Sequence, residues 1–138
     1  MDFEVGQRES FSVTISEADV TQFVELSGDN APLHIDDRFA VSAGFKGVIV
    51  HGALVLARLS QFVGTVLPGP SGVLERMDIA FRAPCYAPCT LTIDGSVRQV
   101  SEAVSSVVLD ITIRAEDSTL VASGKTWHKI LGGASTHE

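Results

Sequence analysis

Gly52-Ala53-Leu54-Val55-Leu56-Ala57-Arg58-Leu59-Ser60-Gln61-Phe62-Val63-Gly64-Thr65-Val66 spreads apolar side chains over nearly every face of a helix. A helix that is apolar all round belongs inside a protein. The segment is too short, and too interrupted by Arg58 and Gln61, to span a bilayer. Pro68-Gly69-Pro70-Ser71-Gly72 stops it. The rest of the chain must therefore supply a surface that covers this helix.

Downstream, residues 73–83, 90–100, 104–114 and 120–130 are rich in branched residues and alternate apolar with polar. Leu91, Ile93 and Val97 mark one buried face, and Leu109, Ile111 and Ile113 another. The breaks at 84–88, 101–102 and 115–118 suit hairpins, so four strands in an antiparallel meander are expected. Upstream, residues 9–15 read as an edge-type strand. Ser16 then caps a helix with acids in its first turn, and Val20, Phe23, Val24 and Leu26 follow at helical spacing up to Gly28. A short helix over 37–43 follows, capped by Asp36 and ended by Gly44, and residues 46–51 approach Gly52 in extended form.

One strand, a helical middle and four strands define an α+β class. A single antiparallel sheet wrapped around one long central helix, the hot-dog arrangement, is the economical packing. Residues 1–131 form that one domain, with 132–138 a frayed tail. Such a sheet leaves an edge strand open, so a homodimer or higher even oligomer is expected.

Composition sets further bounds. The 138 residues suit one domain, and 45% hydrophobic with 20% charged residues is ordinary for a globular protein. A net charge of −7 argues against nucleic acid as partner, while leaving room for a phosphorylated ligand held by a few local cations. Met1-Asp2-Phe3-Glu4 has neither the basic region nor the apolar core of a signal peptide, so a soluble cytoplasmic protein with no membrane segment is expected. Cys85 and Cys89 have no second cysteine pair and no histidine cluster nearby, which speaks for two reduced thiols over a zinc site or disulfide.

The chemistry-bearing stretch is Ser27-Gly28-Asp29-Asn30-Ala31-Pro32-Leu33-His34-Ile35-Asp36. It sets a carboxylate and an imidazole five residues apart, with a proline between them that disfavours regular helix in the preceding residue. A turn that brings Asp29 and His34 together could hold and polarise one water. Ile49-Val50-His51-Gly52 is the second signal, a glycine opening the apolar helix. Together they point to hydration or dehydration beside an activated carbonyl.

Asp29-Asn30-Ala31-Pro32-Leu33-His34-Ile35-Asp36, followed by Val50-His51-Gly52, resembles the MaoC-like, (R)-specific enoyl-CoA hydratase family of hot-dog proteins. The similarity continues through Phe39-Ala40, Ser60 and Phe81-Arg82-Ala83-Pro84. Two stretches depart from the family pattern: Ala31 stands where it has asparagine, and Pro88-Cys89-Thr90-Leu91 where it has Gly-Asp-Thr-Leu. The resemblance implies reversible hydration of trans-2-enoyl thioesters to (3R)-3-hydroxyacyl thioesters. It assigns Asp29 and His34 to the water and the Gly52 amide to the oxyanion hole. It implies no cofactor and no metal; coenzyme A, or carrier-protein phosphopantetheine, is part of the substrate.

Each remaining residue has two readings. His51 either packs at the helix entry or contacts substrate. Ser60 either satisfies a helix carbonyl or joins the site. Lys46, Arg82 and Lys125 are solvated cations or partners of coenzyme phosphates. Arg58 either snorkels outward or reaches the acyl pocket's rim. Trp127, Phe62 and Phe81 are expected in the core rather than along an acyl tunnel. Two other functions stay open: a hot-dog thioesterase, distinguished by thiol release, and a non-catalytic acyl-thioester-binding subunit, for which Ala31 speaks.

Overall fold

The structure is a computed structural model that describes residues 1–132. Its elements run β1 (Arg8–Ile15), α1 (Glu17–Ser27), α2 (Pro32–Ile35), α3 (Asp37–Ser42), α4 (Gly52–Thr65), β2 (Gly72–Phe81), β3 (Cys89–Ser101), β4 (Ser106–Ala115) and β5 (Leu120–Ile130). Most of the expected tail, everything after Gly132, lies outside the described residues.

Leu54, Val55, Leu59, Phe62 and Val63 of α4 are buried, and they share one core with Leu91, Ile93 and Val97 of β3 and Leu109, Ile111 and Ile113 of β4. Gly95 is what lets the helix lie this close. A Cβ there would stand 2.7 Å from Phe62 Cε2, so the Phe62 ring rests on bare strand backbone. The opposite side of α4 is open: Ala53, Ala57, Ser60, Gln61 and Gly64 are exposed. Among the described residues nothing covers this side, and its apolar look in sequence comes from small residues.

The sheet is antiparallel with order β1-β3-β4-β5-β2, the hot-dog topology. Strands β3, β4 and β5 form the expected meander. The expected hairpin between β2 and β3 does not form: β2 pairs with β5, and β1 takes the free side of β3. Alternation identifies a strand but not its neighbour, and after α4 has crossed the sheet β2 enters at the far edge. Both termini of the order, β1 and β2, are edges.

Helix α1 begins with a reciprocal cap in which the Ser16 hydroxyl accepts from the Asp19 amide at 3.0 Å and the Asp19 carboxylate from the Ser16 amide at 2.9 Å. Arg58 of α4 donates to the Asp19 carboxylate at 3.2 Å and to Gln61 at 3.1 Å. It ties α1 to α4 and does not line either cavity described below.

Candidate active site

The Asp29–His34 loop is shaped by a sequence of local constraints. Gly28 closes α1 in the left-handed region at φ 75°, where a Cβ is penalised, and its N–H donates to the Val24 carbonyl at 2.8 Å. Asp29 follows with its amide donating to Ser27 Oγ at 3.0 Å and its Oδ1 accepting from the Ala31 amide at 3.2 Å. Pro32 then opens α2. An irregular turn was the expectation here; the structure has one short helical turn, because proline suits the first helical position.

His34 sits on that turn. The Ile49 carbonyl, which can only accept, lies 2.8 Å from His34 Nδ1, so Nδ1 carries the proton in the neutral ring. The Ile49 amide in turn donates to the Leu33 carbonyl at 3.0 Å, locking the turn to the segment that leads into α4. His34 Nε2 is left facing Asp29 Oδ2 across 3.9 Å. That gap is too long for a direct hydrogen bond and suits one bridging water. Asp29 is half exposed and His34 largely buried, with side-chain exposures of 51% and 13%. His34 is thus held by its Nδ1 contact, while the Asp29 carboxylate is open to solvent.

His51 is 1% exposed and joins three parts of the site. Its Nε2–H donates to the Asp29 main-chain carbonyl at 3.0 Å. Its ring stacks on His34 with centroids 3.7 Å apart and planes 18° from parallel, and meets the Phe23 ring edge-on at 4.9 Å. Its own carbonyl accepts the first amides of α4, from Leu54 and Val55. Its Nδ1 is buried with no hydrogen-bond partner among the described residues.

Gly52 is the first residue of the 14-residue α4, so its N–H is one of the helix's orphan donors in a positive partial field. The ring of Phe81 stands directly over it, with Cζ 2.9 Å from where a Cβ would be.

Asp29, His34 and His51 each bring one donor atom to within 4.8 Å of the others. Two nearly parallel rings keep their nitrogen lone pairs in separate, stacked planes. They do not converge as the ligands of a single ion do, and the arrangement suits a water held at its edge.

Two cavities flank the site, one at His34 and one at Gly52; Asp29 and His51 line neither. The larger, about 740 Å³, reaches His34 and has Lys46, Tyr86, Glu17, Glu25 and Asp37 on its walls. The smaller, about 350 Å³, reaches Gly52 and is apolar apart from Arg82 at its rim. Lys46 and Arg82 therefore sit on different cavities and do not form one cationic patch. Ser60 lies about 12 Å along α4 from Gly52 at 1.5 Å per residue, on the exposed face, and lines neither cavity. Lys125 is 3.9 Å from Asp110, and Trp127 carries the Arg76 guanidinium over its ring at 4.6 Å. Phe62 is core, as expected; Phe81 is not, being 51% exposed at the end of an edge strand.

A hot-dog domain with an Asp–His pair set beside the first turn of its central helix is the class these features define. The chain belongs to the MaoC like domain family, which it matches over residues 3–117. It is 30% identical over 127 residues to an (R)-specific enoyl-CoA hydratase of Aeromonas caviae, covering 92% of this chain and 95% of that protein. It is 40% identical over 83 residues to a 3-hydroxybutyryl-CoA dehydratase of Methylorubrum extorquens, covering 60% of this chain and 53% of the relative. The solved structure of an (R)-hydratase from A. caviae superposes with a TM-score of 0.87 at 29% identity, covering 94% of this chain and 98% of that one. No helix among the described residues is long and apolar enough to cross a membrane.

Proposed function

We propose that this chain is an (R)-specific enoyl-thioester hydratase that also runs in the dehydrating direction. The observation that carries the reading is the 3.9 Å gap between Asp29 Oδ2 and His34 Nε2, with the other nitrogen of His34 tied to a carbonyl. A water in that gap donates one hydrogen to the Asp29 carboxylate and the other to His34 Nε2. Its oxygen lone pair is then free to attack C3 of a trans-2-enoyl thioester.

As the C3–O bond forms, electrons move from the double bond toward the thioester carbonyl, and negative charge gathers on its oxygen. The Gly52 amide is the donor aimed at that charge, and one such donor supplies about 2.7–4 kcal/mol of transition-state stabilisation. The Asp29–His34 pair takes one proton from the water and a proton is returned to C2. Atoms and charge balance without a cofactor. The reverse sequence expels water from a (3R)-3-hydroxyacyl thioester.

The thioester lies between the two cavities. Arg82 is the better cation for a coenzyme phosphate: its cavity has no acidic wall, whereas Lys46 shares its own with Glu17, Glu25 and Asp37. His51 acts by positioning, since burial keeps it from substrate. Ser60 has no part in the water chemistry.

The protein works as a homodimer joined along β2. That edge carries the exposed apolar residues Val73 and Leu74, while the β1 edge exposes mainly charged and hydroxyl side chains. An acidic chain with two free thiols suits the cytoplasm.

A panel of enoyl and 3-hydroxyacyl thioesters tests the function. Loss of the conjugated-thioester absorbance without thiol release supports the hydratase. Thiol release identifies a thioesterase, and binding without turnover identifies a non-catalytic subunit.

A further inference from the structure

We propose that Phe81 decides whether an acyl group substituted at C2 is accepted, admitting unbranched 2-enoyl thioesters and excluding α-methyl ones; the proposal deepens the hydratase reading and rests on it. In a helix each Cα–Cβ bond tilts toward the N-terminus, the same direction in which the first amides point. The space over the Gly52 Cα therefore adjoins the space in front of its N–H. Three atoms of Phe81 fill that space, with Cζ, Cε1 and Cε2 at 2.9, 3.1 and 3.2 Å from the Cβ position.

A thioester oxygen accepted by the Gly52 amide has C2 two bonds away. In the enolate C2 is planar, so a substituent on it lies in the plane of the carbonyl and cannot rotate out of the ring's way. A hydrogen there clears the Phe81 ring; a methyl group meets it. Behind the ring the smaller cavity is walled by Phe45, Val55, Cys85 and Val121. Trimming Phe81 widens this apolar space at Gly52 and makes room for the methyl.

Phe81 is also dispensable for the core. It is 51% exposed, and its backbone stays in the ladder opposite Ala122 whatever the side chain. A side chain that does not fill its own chain's core, yet stands over the Gly52 Cα beside the proposed oxyanion donor, is placed to select substrate.

The test measures kcat/KM for trans-but-2-enoyl-CoA and trans-2-methylbut-2-enoyl-CoA in the wild type, Phe81→Ala and Phe81→Leu. Circular dichroism and size-exclusion chromatography serve as controls. The wild type is expected to favour the unbranched substrate. The branched-to-unbranched ratio should rise about ten- to a hundred-fold in Phe81→Ala and less in Phe81→Leu, the range one methyl group can command in an apolar pocket. An unchanged ratio in the folded variants, or a wild type that takes both substrates equally, overturns the proposal. A folded wild type that hydrates neither substrate overturns the hydratase reading and this inference with it. If Phe81→Ala does not fold, Phe81→Leu decides alone.

Discussion

His34 and His51 stack face to face, 3.7 Å between centroids and 18° from parallel, and each gives its one N–H to a main-chain carbonyl, of Ile49 and of Asp29 respectively. The consequence is that one imidazole fixes the other and, through the Asp29 carbonyl, the carboxylate as well. His51→Leu removes the N–H and leaves that carbonyl unpaired. The expected outcome is a fall in kcat of about 10²-fold with little change in KM, the scale of a 1 Å misplacement. His51→Gln, whose amide can still donate, should recover part of it. Steady-state kinetics on all three proteins checks this; a His51→Leu enzyme with wild-type kcat refutes the positioning role.

Gly52→Ala should fail for a steric reason that can be isolated. Its Cβ would stand 2.9 Å from Phe81 Cζ, and because that ring is half exposed and can swing aside the cost is about 1 kcal/mol, the low end for overpacking. Thermal or urea denaturation of Gly52→Ala should show that loss, and adding Phe81→Ala should restore most of it. Equal instability in the single and double variants would mean that the ring is not what the methyl meets.

Much of this was legible in the chain because it is local. The apolar run from Gly52 to Thr65 declares the central helix, the Ser16 cap declares α1, and Gly28 with Pro32 marks the turn that brings Asp29 and His34 together. What was not legible depends on neighbours far apart in sequence. Alternation in β2 says strand, yet nothing in Gly72–Phe81 says that its partner is β5. His51 looks like any histidine at a helix entry until the fold brings the Asp29 carbonyl to its Nε2. Phe81 reads as core because phenylalanine usually is, and only the backbone approach at Gly52 reveals its other use.

Ala31 is the N-cap of α2 at φ −54° and ψ 143°, and makes no side-chain cap hydrogen bond. Asparagine has the side-chain acceptor that alanine lacks. Ala31→Asn should stabilise the protein by about 0.5–2 kcal/mol, measured as a higher urea midpoint at constant slope. No gain would mean that the single turn of α2 is held by its tertiary contacts alone.

His128 is buried in the sheet beside Thr126, whose Oγ1 lies 2.7 Å from Nε2, and burial pushes its pKa down to about 4. The unfolded chain takes up that proton near the ordinary value of about 6.5 while the folded one refuses it, so stability falls as pH drops. The loss runs from about pH 6.5 to about 4 and amounts to roughly 3 kcal/mol; below that it levels off. Urea denaturation at a series of pH values should show this slope in the wild type and a shallower one in His128→Asn, which cannot titrate. Identical slopes would assign the acid sensitivity to other groups.

The water-holding pair is tested most directly by the rate of enoyl-thioester hydration in Asp29→Asn and His34→Ala, followed at the conjugated-thioester absorbance with circular dichroism as the folding control. Both folded variants should lose about 10²–10⁴-fold in kcat, the contribution of a positioned acid–base group. Wild-type turnover in either variant would contradict the account.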